Sequence, residues 1–141
     1  MPSVSRGFTL IESMVVIAIV GILAAVAAPA LTESMARRRL ESAASELTTD
    51  LQYAKSQAAS INANISLVTT VRGYTISGTV NGAAVTYKTV VLHPASSLTD
   101  AVTVIFEPYQ TLPTAAVPFI SVTNSQTATS LRVITDTIGG I

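Results

Sequence analysis

The amino-acid sequence predicts an α+β fold in which one long N-terminal α-helix packs on a small antiparallel β-sheet domain. Residues 13–31 form an uncharged apolar run, which makes the first half of this helix membrane-spanning. Residues 36–61 then repeat apolar residues three and four positions apart, the pattern of a helix with one buried face. Residues 62–141 alternate threonine, serine, valine and isoleucine in short runs, which is typical of strands.

The composition narrows the classes of function. Of the 141 residues, 49% are hydrophobic and only 11% are charged, so part of the apolar surface must face lipid or other subunits. Eight basic and eight acidic residues balance, which argues against a dedicated nucleic-acid binder. The sequence has no cysteine and therefore no disulfide, thiolate metal site or cysteine nucleophile.

The apolar run is preceded by a short polar leader, residues 1–7, with one arginine. As a helix, the 19 residues of the run measure about 28 Å, close to the roughly 30 Å hydrocarbon core of a bilayer. Glu12 stands at the edge of this run. An ionised carboxylate within a membrane costs about 2.5 to 3.5 kcal/mol, so Glu12 has a partner or a function there, or lies at headgroup level.

Residues 6–12 (RGFTLIE), followed by an unbroken apolar run, resemble the processing site of type IV prepilins and type II secretion pseudopilins. The resemblance implies a pilin-like fold and cleavage by prepilin peptidase between Gly7 and Phe8, with N-methylation of Phe8. Glu12 matches the glutamate that the family pairs with the new N-terminus of a neighbouring subunit, and Pro29 matches its helix-kinking proline. Both residues are therefore expected to act in assembly.

Physical reasons agree with this resemblance. Gly7 has no side chain, so its backbone can enter a protease cleft. A pairing between the Phe8 ammonium and the Glu12 carboxylate would fix axial register, because an unpaired buried charge is expensive. Pro29 lacks a backbone N–H and clashes with the carbonyl of Ala25, which predicts a kink or local melting of the helix.

Two observations favour other interpretations of the N-terminus. Three arginines at 37–39 follow the apolar run and one precedes it, so a positive-inside count places the N-terminus outside. An A-x-A sequence at 25–27 also permits ordinary signal-peptide cleavage near Ala27, which would release a soluble domain. Glu12 at the start of the run and Pro29 just behind the alternative cut favour the prepilin interpretation.

The helix is expected to continue to about Ser60, and its buried face is predicted at Ala36, Leu40, Ala43, Leu47, Leu51, Ala54, Ala58 and Ile61. Asp50, near Lys55, is interpreted as solvated surface, as is Glu41 with Ser45. Strands are predicted at 65–72, 74–80, 85–92, 102–107, 119–123 and 131–136. Asn81-Gly82 predicts a tight hairpin turn, and 93–94, 108–118 and 124–129 are interpreted as loops.

The predicted organisation is a leader at 1–7, a membrane and filament-core helix at 8–31, its amphipathic continuation at 32–61 and a β-rich head at 62–141. Beyond residue 31 the chain is most similar to the H-type minor pseudopilins and minor pilins (GspH/FimT-like). This implies a structural subunit of a type II secretion system or type IV pilus, held in the inner membrane with its C-terminal domain in the periplasm. The implied partners are prepilin peptidase, other pilin or pseudopilin subunits, inner-membrane lipid and a secreted substrate.

No enzymatic motif is found, so no catalytic residue, cofactor or metal site is predicted. His93 precedes a proline in a predicted turn, and Asp100, Glu107 and Asp136 are too scattered for a calcium cage. A DNA-uptake minor pilin is the alternative function. DNA is not an expected partner, because Arg72, Lys88 and Arg132 are the only cations beyond the helix.

Overall fold

The computed structural model describes residues 8–99, 101–109, 114–115, 119–127 and 129–135. Over these residues one N-terminal helix, α1 (Leu10–Ile61), precedes a set of short antiparallel strands, which confirms the predicted α+β class. The strands are β1 (Ile65–Thr70), β2 (Gly73–Val80), β3 (Ala83–Val91), β4 (Ser96–Leu98), β5 (Thr103–Phe106), β6 (Thr114–Ala115), β7 (Phe119–Asn124) and β8 (Ser130–Ile134).

The chain divides into two compact units, one reaching Met35 and one beginning at Ala36. In the first unit every side chain from Phe8 to Met35 is exposed. An 18-residue window of α1 near the N-terminus has a mean hydropathy of 2.7 and none of it is buried, so this helix is long and apolar enough to cross a membrane. Apolar surface of this extent needs lipid or other helices around it.

The second unit, from Ala36 onward, is called the head unit here. It contains a five-stranded sheet in the order β3-β2-β1-β5-β6 and a three-stranded sheet in the order β4-β7-β8, with all pairs antiparallel. The C-terminal half of α1 packs on these sheets. Six of the eight residues predicted for its buried face are buried, and Ala43 and Ile61 are half-buried against the same core.

Two backbone features explain where the elements end. Asn62 adopts a left-handed conformation, with φ of 52°, and the Ala63 N–H donates to the Ala58 carbonyl at 3.3 Å, which closes α1 with a Schellman-type cap. Asn81 and Gly82 have φ of 52° and 81°, the positive pair that a type I′ turn requires. The predicted hairpin between β2 and β3 is therefore confirmed.

The strand predictions were incomplete in two places. β4 had no counterpart among the predicted strands, and β6 lies within 108–118, which was interpreted as a loop. Both strands are only two or three residues long and take their conformation from their partners, β7 and β5. Such short segments carry no alternation of their own, so pairing across the sheet decides their structure. The end of the last predicted strand, Asp136, lies outside the described residues.

Gly73 allows a close approach of strands, and we predict a large effect of its replacement. A Cβ at this position would lie 2.0 Å from the Val90 carbonyl oxygen on β3, so the paired backbone would have to move. Gly73→Ala should destabilise the head unit by about 2 to 3 kcal/mol, the usual range for overpacking. Denaturant unfolding followed by the near-UV signal of tyrosine measures this loss.

The comparison variant is Gly82→Ala. A Cβ at this position would have no neighbour within 4 Å, so we expect only the strain of its positive φ, a loss of stability of about 1 kcal/mol. Equal losses in the two variants would contradict the close-approach explanation for Gly73.

Candidate assembly site

The start of α1 lies next to two of the residues predicted to act in processing and assembly, Phe8 just before the helix and Glu12 in its first turn. Phe8 is 73% exposed, and Glu12 is exposed one turn further on. Thr9 caps the helix, because its Oγ1 accepts a hydrogen bond from the Glu12 backbone N–H at 3.3 Å. The spacing of Thr9 and Glu12 is that of a capping box. Gly7 lies outside the described residues.

Thr9 is a helix-capping position that the sequence prediction did not single out, although T-x-x-E before an apolar run is a known signature of a helix start. It fixes where α1 begins and so fixes the position of Glu12 in the first turn. The Glu12 carboxylate is the one charged side chain in residues 8–31 of the sequence. It is thereby held at the N-terminal end of the helix, where the helix dipole favours negative charge.

Pro29 lies inside α1, whose helical conformation continues on both sides of it. The local melting that was considered for this position is therefore not observed, while the kink stays a prediction. A proline removes one backbone hydrogen bond, and the turns before and after it keep theirs. The Pro29 carbonyl also accepts a hydrogen bond from the Thr32 hydroxyl at 2.8 Å.

The head unit contains a buried charged cluster that the sequence interpretation missed. Asp50 is only 5% exposed, not solvated surface as predicted. Its carboxylate accepts hydrogen bonds from the Tyr74 hydroxyl at 2.6 Å and from the Lys88 ammonium at 2.7 and 2.8 Å. Lys88 also lies 3.4 Å from the exposed carboxylate of Glu46. The cluster links α1 to β2 and β3.

These contacts shift two pKa values in the same direction. Burial, with the adjoining Asp50 carboxylate, raises the pKa of Tyr74 far above its ordinary value. The hydrogen bond to Asp50 also raises the pKa of Lys88. Tyr74 therefore stays neutral and Lys88 stays charged at physiological pH. The cluster therefore acts as a fixed polar link between helix and sheet.

A signal for this cluster was present in the sequence. Asp50 lies three residues after Leu47 and four before Ala54, so it interrupts the predicted apolar face rather than facing away from it. A charge at such a position needs a partner. Lys88, the one charged residue within β3, is this partner.

The cations beyond the helix are each engaged within the head unit. Lys88 belongs to the buried cluster, an Arg72 guanidinium nitrogen donates to the Pro94 carbonyl at 3.5 Å, and Arg132 stacks 4.7 Å from the centre of the Phe119 ring. Each of these three cations therefore already has a contact within the head unit. Among the described residues, no group of histidine and acidic side chains could hold a metal ion.

Comparison with known proteins shows what the N-terminal part of this chain is similar to. Residues 2–28 match the family described as the prokaryotic N-terminal methylation motif. The chain is 58% identical over 40 residues to fimbrial protein EcpC of Eikenella corrodens, which is 28% of this chain and 26% of that protein. It is 58% identical over 43 residues to the type IV major pilin PilE1 of Neisseria gonorrhoeae, covering 30% and 26%. It is 55% identical over 40 residues to the type IV major fimbrial protein FimA of Dichelobacter nodosus, covering 28% and 25%.

The chain thus spans about a quarter of the length of the curated relatives it matches. No solved structure shows a significant match. With the methylation motif and a long apolar helix that precedes antiparallel sheets, the chain is similar to the type IV pilin superfamily over its N-terminal region. Proteins of this family are structural subunits, which agrees with the prediction that the chain is not an enzyme.

Proposed function

We propose that the chain is a structural subunit of a type IV pilus or of the pseudopilus of a type II secretion system. The observation that carries this proposal is the methylation motif at residues 2–28, which leads directly into an apolar helix with no buried side chain before Ala36. A helix of this kind is stable in the bilayer before assembly and among other helices after it.

In this proposal residues 1–7 are the leader, residues 8–31 the membrane and filament-core helix, residues 32–61 its continuation and residues 62–141 the periplasmic head. Prepilin peptidase cleaves between Gly7 and Phe8, and Phe8 is then N-methylated. The Glu12 carboxylate pairs with the Phe8 ammonium of a neighbouring subunit. The capped first turn supports this role, because it fixes the backbone of Glu12 at the start of the helix, four residues along the sequence from Phe8.

Within this class of structural subunits, we assign the chain to the minor subunits of the filament. Major subunits of the family usually carry a disulfide or a calcium loop near the C-terminus. This sequence has no cysteine, and its acidic residues beyond the helix, Asp100, Glu107 and Asp136, are far apart. The two sheets of the head then serve lateral contacts to other subunits or to a secreted protein.

Glu12→Leu tests the assembly role. The variant should insert into the membrane and be processed, because the substitution makes the helix more apolar. It should be nearly absent from sheared filaments or from complexes with partner subunits, since the neighbouring Phe8 ammonium loses its partner. Immunoblots of membrane and filament fractions, in cells that carry the cognate assembly machinery, measure both steps.

The matched control is Glu41→Leu, an exposed glutamate of the same helix that lies in the head unit. Wild-type incorporation of Glu12→Leu, or an equal loss in Glu41→Leu, would contradict the role assigned to Glu12.

A further inference from the structure

A cleft in the head unit has features of a binding site. It measures about 190 Å³ and opens between α1 and the segment that joins β3 to β4. Arg39, Ser42 and Glu46 line it from α1, and His93 and Ser96 line it from the other side. None of these residues belongs to the first turn of α1, so the cleft is separate from the assembly site.

Ser96 supplies the observation that points to a ligand. Its side chain is 1% exposed, and its Oγ has no hydrogen-bond partner among the residues that the structure describes. Buried hydroxyls in folded proteins are nearly always hydrogen-bonded, so an unpaired one usually marks the place of a solvent molecule or an ion.

The other polar side chains of the cleft offer hydrogen-bond donors. Arg39 is half-buried and makes no hydrogen bond or ion pair with the described part of the chain. The Nδ1 of His93 accepts a hydrogen bond from the Ala95 backbone N–H at 3.2 Å, which assigns the proton of the neutral ring to Nε2. The Nε2–H is then a donor, and the exposed Ser42 contributes a hydroxyl.

Glu46 is the one acidic side chain that lines the cleft, and Lys88, which it shares with Asp50, offsets part of its charge. Its carboxylate lies 3.4 Å from the Lys88 ammonium. The guanidinium of Arg39, in contrast, has no carboxylate partner within the described residues. The cleft therefore offers one unpaired guanidinium and three further hydrogen-bond donors, beside one carboxylate that has a cation partner elsewhere.

We propose that this cleft binds a phosphate group, presented by a phospholipid headgroup or by free phosphate. A guanidinium matches two phosphate oxygens at once, and the remaining oxygens of a tetrahedral group can accept from the hydroxyls and the imidazole N–H. A chain whose N-terminal helix is long and apolar enough to cross a membrane is surrounded by phospholipid, which favours the headgroup over free phosphate as the ligand. The proposal concerns the head unit alone and does not depend on filament assembly.

The test uses the full-length protein in a phosphate-free maltoside detergent, titrated with inorganic phosphate and with short-chain phosphatidylglycerol. Thermal unfolding of the head unit is followed by the tyrosine near-UV signal. Both probes should raise the Tm of the wild type. Arg39→Gln should weaken binding about tenfold or more, because it removes a charge-assisted hydrogen bond.

Arg38→Gln is the matched control, since Arg38 is the adjacent exposed arginine and does not line the cleft. It removes the same charge and should bind like the wild type. Ser96→Ala should also bind more weakly, and without phosphate it should be at least as stable as the wild type, because it lacks the unpaired hydroxyl.

Tighter binding of the phospholipid than of inorganic phosphate would support the proposal and identify the headgroup as the source of the phosphate group. Equal affinities for the two probes would support the proposal and identify free phosphate as a sufficient ligand. The absence of a shift with either probe would overturn the proposal. Equal weakening by Arg38→Gln and Arg39→Gln, or an equal shift with acetate, would also overturn it, because either result shows unspecific attraction of anions.

Discussion

Replacing Gly7 with leucine should leave the protein in the membrane as unprocessed precursor, with a molecular mass that still includes residues 1–7. A bulky side chain at the residue before the cut keeps the backbone away from a peptidase cleft, while glycine lets it enter. The expected effect is nearly complete loss of the mature form. Co-expression with prepilin peptidase, followed by gel mobility and intact mass, measures the processed fraction.

Ser5→Leu is the control for this prediction, because it adds the same side chain to the leader two residues upstream. It should be processed like the wild type. Normal maturation of Gly7→Leu would exclude cleavage after residue 7, and a failure of both variants would point to damage to the leader as a whole.

Asp50→Ala should destabilise the head unit by about 3 kcal/mol. The substitution leaves the Tyr74 hydroxyl buried without its acceptor and takes the nearer carboxylate from Lys88. The Lys88 side chain is 39% exposed and keeps water as a partner, so most of the loss belongs to Tyr74. Denaturant unfolding of the full-length protein in detergent measures the change.

Tyr74→Phe separates the two contacts, because it removes the hydroxyl and keeps the ion pair. We expect a loss of about 1 kcal/mol, the typical net value of one hydrogen bond. A loss in Asp50→Ala no larger than that of exposed Glu41→Ala would contradict the structural role of the cluster.

The same cluster predicts a loss of stability in alkali. The pKa values of Tyr74 and Lys88 are both raised in the folded state, so folding favours their protonated forms. Their contribution is complete at neutral pH and falls as the pH rises above about 10, the ordinary range of both groups. The decline should be shallower in Asp50→Ala, which lacks the carboxylate that contributes to both shifts.

The main features of the fold could be predicted from the sequence because they depend on local patterns. The apolar face of α1 repeats every three or four residues, and Asn81-Gly82 meets the positive φ angles of its turn. β4 and β6 were missed because a strand of two or three residues is stabilised by its partner and not by its own side chains. Their positions depend on contacts between distant parts of the chain.

The buried cluster escaped prediction for a related reason. Asp50 has Lys55 as a plausible partner nearby in sequence, but its actual partners are 24 and 38 residues away. The pairing of β2 with β3 shifts its register between Ile76 and Ser77, next to Lys88, and this irregularity is likewise a property of the sheet. Glu12 and Pro29 could be assigned expected roles only through the family resemblance, since their partners are other subunits.

The central claim is that the chain matures at Gly7 and keeps its spanning helix. Intact mass and N-terminal sequencing of the protein, produced in a host with prepilin peptidase, test it most directly. The account predicts an N-methylated chain that begins at Phe8. A mature chain that begins near Ala28 would contradict it, because the protein would then be a soluble periplasmic domain without a filament-forming helix.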